Sequence, residues 1–226
     1  MSIARFWPLS TAAVVLTAAA LAAVAAVYSV SASDGGAKGN GASLERTQKS
    51  VEFRNGMRQL WEEHIVWTRE FIVSFAAGTG DQDEVAARLL ANQDHIGDAI
   101  KPYYGDAAGE ALTQLLREHI LGAVTLLEAA KSGDAQAFEA ANAAWYANGT
   151  AIAQFLSGAN PENWPLGHTT HHMTMHLDLT LQEAAHRLGG DFQADIADYD
   201  AVHKAILEMA DFLSLGIINQ FPKDFR

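Results

Sequence analysis

The chain contains no cysteine, and that absence removes disulfides, thiolate metal sites, thiol nucleophiles and lipid attachment through a lipobox cysteine together. Basic residues are scarce as well: 15 Lys and Arg stand against 27 Asp and Glu, a formal net charge of −12. A surface of that sign repels polyanions and offers no basic stripe to displace counterions from nucleic acid. Its ordinary consequence is solubility. No run of alternating β-branched residues occurs, so no strand is predicted. Gly-x-Ser-x-Gly, Gly-x-Gly-x-x-Gly and His-Glu-x-x-His are all missing, which takes the usual support from hydrolase, nucleotide-binding and zinc-protease assignments.

What is present begins with an export pattern. Arg5 gives a short positive end, and Thr11 to Val30 carries no charge. That length is close to the ~20 residues a bilayer requires, so residues 1–33 read as a signal peptide or a membrane-anchoring helix, not as core. Ser31, Ala32 and Ser33 are small enough for a signal peptidase, and both alternatives stay open. Either one delivers the rest of the chain outside the cytoplasmic membrane, to the periplasm, the exterior or the outer face of that membrane. Residues 34–44, with Gly35, Gly36, Gly39 and Gly41, have the composition of a flexible linker. Residues 45–222 then suffice for one domain.

That domain is written as a repeat. Gln59-Leu60-Trp61-Glu62-Glu63-His64-Ile65 and Gln114-Leu115-Leu116-Arg117-Glu118-His119-Ile120 agree at five of seven positions. Each is followed by a Gly-Asp pair and then a proline: Gly80-Asp81 and Pro102, Gly133-Asp134 and Pro161. His176, Gly190-Asp191 and Pro222 repeat the punctuation, with histidine spacings of 55 and 57 residues. Glycine past a helix end takes the left-handed cap conformation, and the following aspartate caps the next helix; Asp81 with Glu84 has the spacing of a capping box. The expectation is an all-α antiparallel bundle of six helices from three repeated hairpins, over 45–77, 82–101, 107–131, 135–158, 163–188 and 192–220. Apolar residues at helical spacing agree, for example Leu112, Leu115, His119, Ala123, Leu126 and Ala130, or Ile196, Tyr199, His203, Ile206, Ala210, Leu213 and Ile217.

Near the middle of each stripe stands a polar residue: His64, Asn92, His119, Asn148, His176 and His203. Once buried these groups must be paired, because an unsatisfied polar atom costs ~1 to 3 kcal/mol. Asp94, Asp98, Asp200 and Asp211 lie near enough along their helices to be partners. One reading is a hydrogen-bonded layer that sets helix register. The other is a metal centre in which His64, His119, His176 and His203, with Asp94, Asp98 and Asp200 as ligands or second-shell acceptors, hold copper, zinc, nickel or iron. A recurring Glu-x-x-His pair, as a di-iron carboxylate site needs, is absent. His168, His172 and His176 share a helical face, and Met173 and Met175 add thioethers, but this local group reads as exposed and weakly chelating.

Leu60-Trp61-Glu62-Glu63-His64 with Trp67-Thr68-Arg69, Asn92-Gln93-Asp94, Ile96-Gly97, Ala99-Ile100-Lys101-Pro102-Tyr103-Tyr104-Gly105, and Gly216-Ile217-Ile218 with Gln220-Phe221-Pro222 resemble a group of small exported helical proteins of soil bacteria. The resemblance covers about residues 50 to 222 and implies no established activity. Some members carry transferase or kinase names, but the phosphate loop and α/β alternation such enzymes need are missing here. Within that pattern His64, His119, His176 and His203 look typical and His168, His171 and His172 peculiar, which favours the buried layer. The function expected is that of an extracytoplasmic binding protein holding a metal ion or small ligand at the histidine layer. The alternative is a non-catalytic structural or interaction protein of the cell envelope.

Overall fold

A computed structural model describes residues 46–226. The expected N-terminal apolar helix and the linker lie outside the described residues. Within them the chain is helical throughout, with no strand. The helices are α1 (Gln48–Ala77), α2 (Gln82–Tyr104), α3 (Asp106–Ser132), α4 (Ala135–Ala159), α5 (Leu166–Gly189) and α6 (Phe192–Gln220). Each packs on its neighbour in sequence, and α6 returns to pack on α1, so the six close into a ring. None of these helices is long and apolar enough to cross a membrane.

The turns follow from local chemistry. Gly78, Gly133 and Gly190 end α1, α3 and α5 with φ of 66°, 73° and 79°, a region that costs a side-chain-bearing residue strain and glycine none. Asp134 and Asp191 then accept from the amides of Ala137 and Ala194, capping α4 and α6 as expected. Asp81 corrects the capping-box reading. It makes no cap bond to α2 and instead accepts from the Ser74 and Thr79 hydroxyls, tying the turn to the end of α1. Pro102 also departs from expectation, lying inside α2 rather than ending it. In the last turn it forfeits one ladder bond, and the Gly105 amide closes that turn on Lys101 O at 2.8 Å.

The core runs along the inner faces of all six helices, with Ile65, Ile152, Val202, Ile206, Ala210, Ile217 and Ile218 fully buried. Close helix approach is built from glycine. A Cβ on Gly97 of α2 would stand 2.6 Å from Gly109 O of α3, and one on Gly109 would stand 2.7 Å from Gly97 O. The two backbones approach closely there, with the Thr113 and Lys101 side chains filling the space beside them. Gly216 of α6 likewise lies flush against the buried indole of Trp164. Gly97→Ala gains helix propensity but drives a methyl into backbone. We predict a net loss of about 1 to 3 kcal/mol, read as a lower urea midpoint at unchanged slope.

Candidate functional site

Three of the histidines meet in the interior. His64 from α1, His119 from α3 and His176 from α5 are 2%, 3% and 4% exposed. Their ring centres are 5.6 Å apart for His64 and His176, and 5.9 Å for His119 and His176. The indole of Trp145 stacks on His119 at 5.1 Å, and that of Trp61 stands edge-on to His64 at 5.8 Å. Alternate helices of the ring thus supply the imidazoles, because α1, α3 and α5 each turn their histidine inward.

The backbone is fixed at each of these residues. The carbonyls of His64 and His176 accept at 2.8 Å from the Thr68 and Thr180 hydroxyls one turn on. His119 O accepts from Trp145 Nε1 at 3.1 Å. Asn92 Nδ2 donates to Leu60 O and Asn148 Nδ2 to Leu115 O, each carbonyl four residues before a histidine.

One of these amides also sets a tautomer. Since Asn148 spends its NH2 on Leu115, its Oδ1 faces His119 Nδ1 at 3.0 Å and accepts a hydrogen bond from it. His119 therefore carries hydrogen at Nδ1 and a lone pair at Nε2. Gln93 Nε2 donates to Leu89 O at 2.8 Å and to Asn92 Oδ1 at 3.2 Å, and stands 3.3 Å from His64 Nδ1. Three polar atoms of the centre have no protein partner: His176 Nδ1, Gln93 Oε1 and Trp61 Nε1.

Burial dominates the protonation of all three. It lowers His64 to about 3, assisted by repulsion from His119, and His119 to about 4. His176 is held well below its ordinary value by burial and by both other rings. The imidazoles are neutral at any physiological pH, the state in which they ligate metals.

The remaining expected ligands are elsewhere. His203 is a third exposed and faces Glu62 at 3.0 Å. Asp94 pairs with Arg117 and Asp98 with Lys101, both at the surface; Asp200 is exposed. Asp211 faces Arg54 and Arg58. The expectation that His203, Asp94, Asp98 and Asp200 join the centre is therefore corrected by their outward placement. The physical reason lies in α6, whose buried face runs through Asp195, Val202, Ile206 and Met209. Ile196, on the stripe chosen from hydropathy, is 56% exposed. Among the described residues, no group of three or more His, Asp or Glu side chains is placed so that it could hold a metal ion.

Asp195 is inside because it is paired. Arg69 of α1 forks onto both its oxygens, and Arg187 of α5 adds a third contact at 3.2 Å. Burial pushes Asp195 up, but the two guanidiniums outweigh it and hold the carboxyl low. Glu183 accepts from Arg69 at 2.9 Å on one oxygen, and its other oxygen has no protein partner. Burial raises Glu183 to about 7 against the pull of Arg69. Charges spaced along three helices were the only trace of this network in residue order. Between the two apolar clusters lies a cavity of about 40 Å³. Its walls are apolar side chains with Thr68 and Thr180, so it offers no charged group to a ligand.

No protein family matches the chain, and neither a curated protein nor a solved structure does.

The shifts dictate a pH profile. Near pH 5 the unfolded chain binds a proton on each of three imidazoles whose unperturbed value is 6.5, while in the folded state all three stay essentially neutral. Glu183 works the other way, because its folded carboxyl holds a proton that the unfolded one, at 4.5, has mostly lost. Unfolding near pH 5 thus takes up about two net protons from these four groups, and their contribution to stability falls by roughly 3 kcal/mol per pH unit of acidification. Urea midpoints measured from pH 7 to 4.5 check this. His176→Gln removes about one proton from the difference and should roughly halve the slope, whatever it does to stability at pH 7.

Proposed function

We propose that this chain is an extracytoplasmic binding protein that holds a transition-metal ion at His64, His119 and His176. The single observation that carries the reading is the convergence of three neutral, buried imidazoles with no carboxylate bonded to them. An ion with metal–nitrogen bonds of ~2.0 to 2.1 Å places the centres of its imidazole ligands about 5 to 5.5 Å apart. The His64–His176 and His119–His176 separations of 5.6 and 5.9 Å lie a few tenths of an ångström above that range.

The amides support the same reading. His119 already turns a lone pair at Nε2 to the interior. His64 does so when the Gln93 amide rotates to offer Oε1, the atom that lacks a partner, and accepts the proton at Nδ1. A metal-ligating histidine ordinarily donates its second nitrogen to such an oxygen.

The three-hairpin repeat belongs to the proposal. Asn92 follows His64 by 28 residues and Asn148 follows His119 by 29, whereas the matching positions after His176 hold Lys204 and Ala205. The third copy supplies no amide, and its histidine is the one whose Nδ1 has no protein partner. Delivery beyond the cytoplasmic membrane is inferred from residues 1–33 alone.

A second reading, a non-catalytic envelope protein whose layer only sets helix register, is favoured by the amide bonds at His64 and His119. Elemental analysis of untagged protein, followed by thermal melting with added metal, separates the two. The binding reading predicts close to one equivalent of a transition metal and a raised midpoint, since ligand at a hundred times its Kd adds about 2.7 kcal/mol. His119→Leu should lose both. Absence of metal and an unchanged midpoint in wild type would overturn the binding reading and leave the packing layer.

A further inference from the structure

We infer that the cavity between the two apolar clusters is a binding site for a small uncharged apolar molecule, of the size of dioxygen or a one- or two-carbon hydrocarbon. The inference goes beyond the histidine centre and does not depend on it. The cavity measures about 40 Å³, and only carbon borders it. The three-hairpin repeat explains its place. Positions four residues past His64, His119 and His176 hold Thr68, Ala123 and Thr180, and positions eight residues past them hold Ile72, Leu127 and Ala184. All six line the cavity. Equivalent faces of α1, α3 and α5 therefore meet around it, one to two helical turns beyond the histidine layer. Two copies close in with a branched aliphatic side chain at the eighth position. The third brings only the methyl of Ala184, and the missing bulk is the void.

The walls select the chemistry of a guest. Thr68 and Thr180 spend their hydroxyls on their own helices, donating to the carbonyls of His64 and His176 at 2.8 Å. A water held inside a protein needs about two to four polar partners, and an ion needs counter-charge or donor atoms. Neither finds them against carbon. An apolar guest needs no such partner, because dispersion and its own expulsion from water hold it. Size narrows the class. Cavities of about 150 Å³ lined by Leu, Ile and Phe take up benzene or xenon. A water-sized sphere fills roughly 10 to 15 Å³ of such space, so 40 Å³ excludes a benzene ring and suits a guest of very few heavy atoms. Trp145 reports on occupancy, since its indole forms part of the wall and also stacks on His119 at 5.1 Å.

The test uses the full untagged chain, with carbon-13 at the Ile, Leu, Val and Ala methyls, under rising xenon pressure. Wild type should show a saturable shift centred on the methyls of Ile72, Ala123, Leu127 and Ala184, accompanied by the Trp145 Nε1–H signal. Dissolved ethane should displace the xenon, and benzene should leave these signals unmoved. Ala184→Leu gives the third copy the bulk its counterparts carry, and should weaken xenon binding at least about tenfold. Should that variant fail to fold, Ala184→Val replaces it with the same direction expected. The inference is overturned if xenon gives no saturable shift at these methyls, if ethane does not compete, or if the filled variant binds xenon as well as wild type.

Discussion

The organising constraint is the burial of three imidazoles where water cannot reach them. A buried polar group must be bonded or the fold bears its desolvation, and most of the local architecture answers that demand. Asn148 accepts a hydrogen bond from His119, the Gln93 amide stands beside His64, and Thr68, Thr180 and Trp145 engage the backbone carbonyls of the three histidines. The same constraint fixes level and rotation. A helix slipped by one residue would carry its ring out of the layer and leave amides such as Asn92 and Asn148 without the carbonyls they now reach. Register is thereby specified in a bundle whose apolar stripes alone would tolerate sliding.

A second polar assembly, two turns along α5, ties the same helices together by a different means. Arg69, Glu183, Arg187 and Asp195 join α1, α5 and α6 through charge-assisted bonds in a nearly dry setting. Removing one partner of such a network costs far more than the net worth of the pair, because the other charge is left uncompensated. The ring of helices therefore has one neutral fastening and one ionic fastening on the strand of structure that brings α1 against α5 and α6. Only the neutral one offers a nitrogen without a protein partner in the middle of the molecule.

Much of this was legible from residue order. The 3.6-residue spacing of apolar side chains marked α1, α3, α4 and α6, and Gly-Asp at 133–134 and 190–191 marked two of the reversals, because left-handed glycine and a capping aspartate leave a pattern in sequence. His64, His119 and His176 were visible as polar interruptions of apolar stripes. Gln93 was not, since a glutamine beside Asn92 reads as surface. His203 was misplaced because hydropathy ranks Ile196 above Asp195 for a core position; the pairing that reverses that ranking comes from Arg69, 126 residues away. Asp94 and Asp98 read as interior partners by proximity along the chain, whereas Arg117 and Lys101 hold them at the surface. Stripes and turns are local, and the partners of buried charge are not.

The central claim, that the three rings are neutral neighbours with the His119 tautomer set by an amide, is tested most directly by nitrogen-15 NMR of the imidazoles in the metal-free protein. His64, His119 and His176 should remain neutral from pH 7.5 down to about pH 5, with His119 protonated at Nδ1. Their Hε1 protons should show cross-relaxation between His64 and His176 and between His119 and His176. Rings that titrate near 6.5 like free imidazole, or that show no contact with one another, would contradict the account.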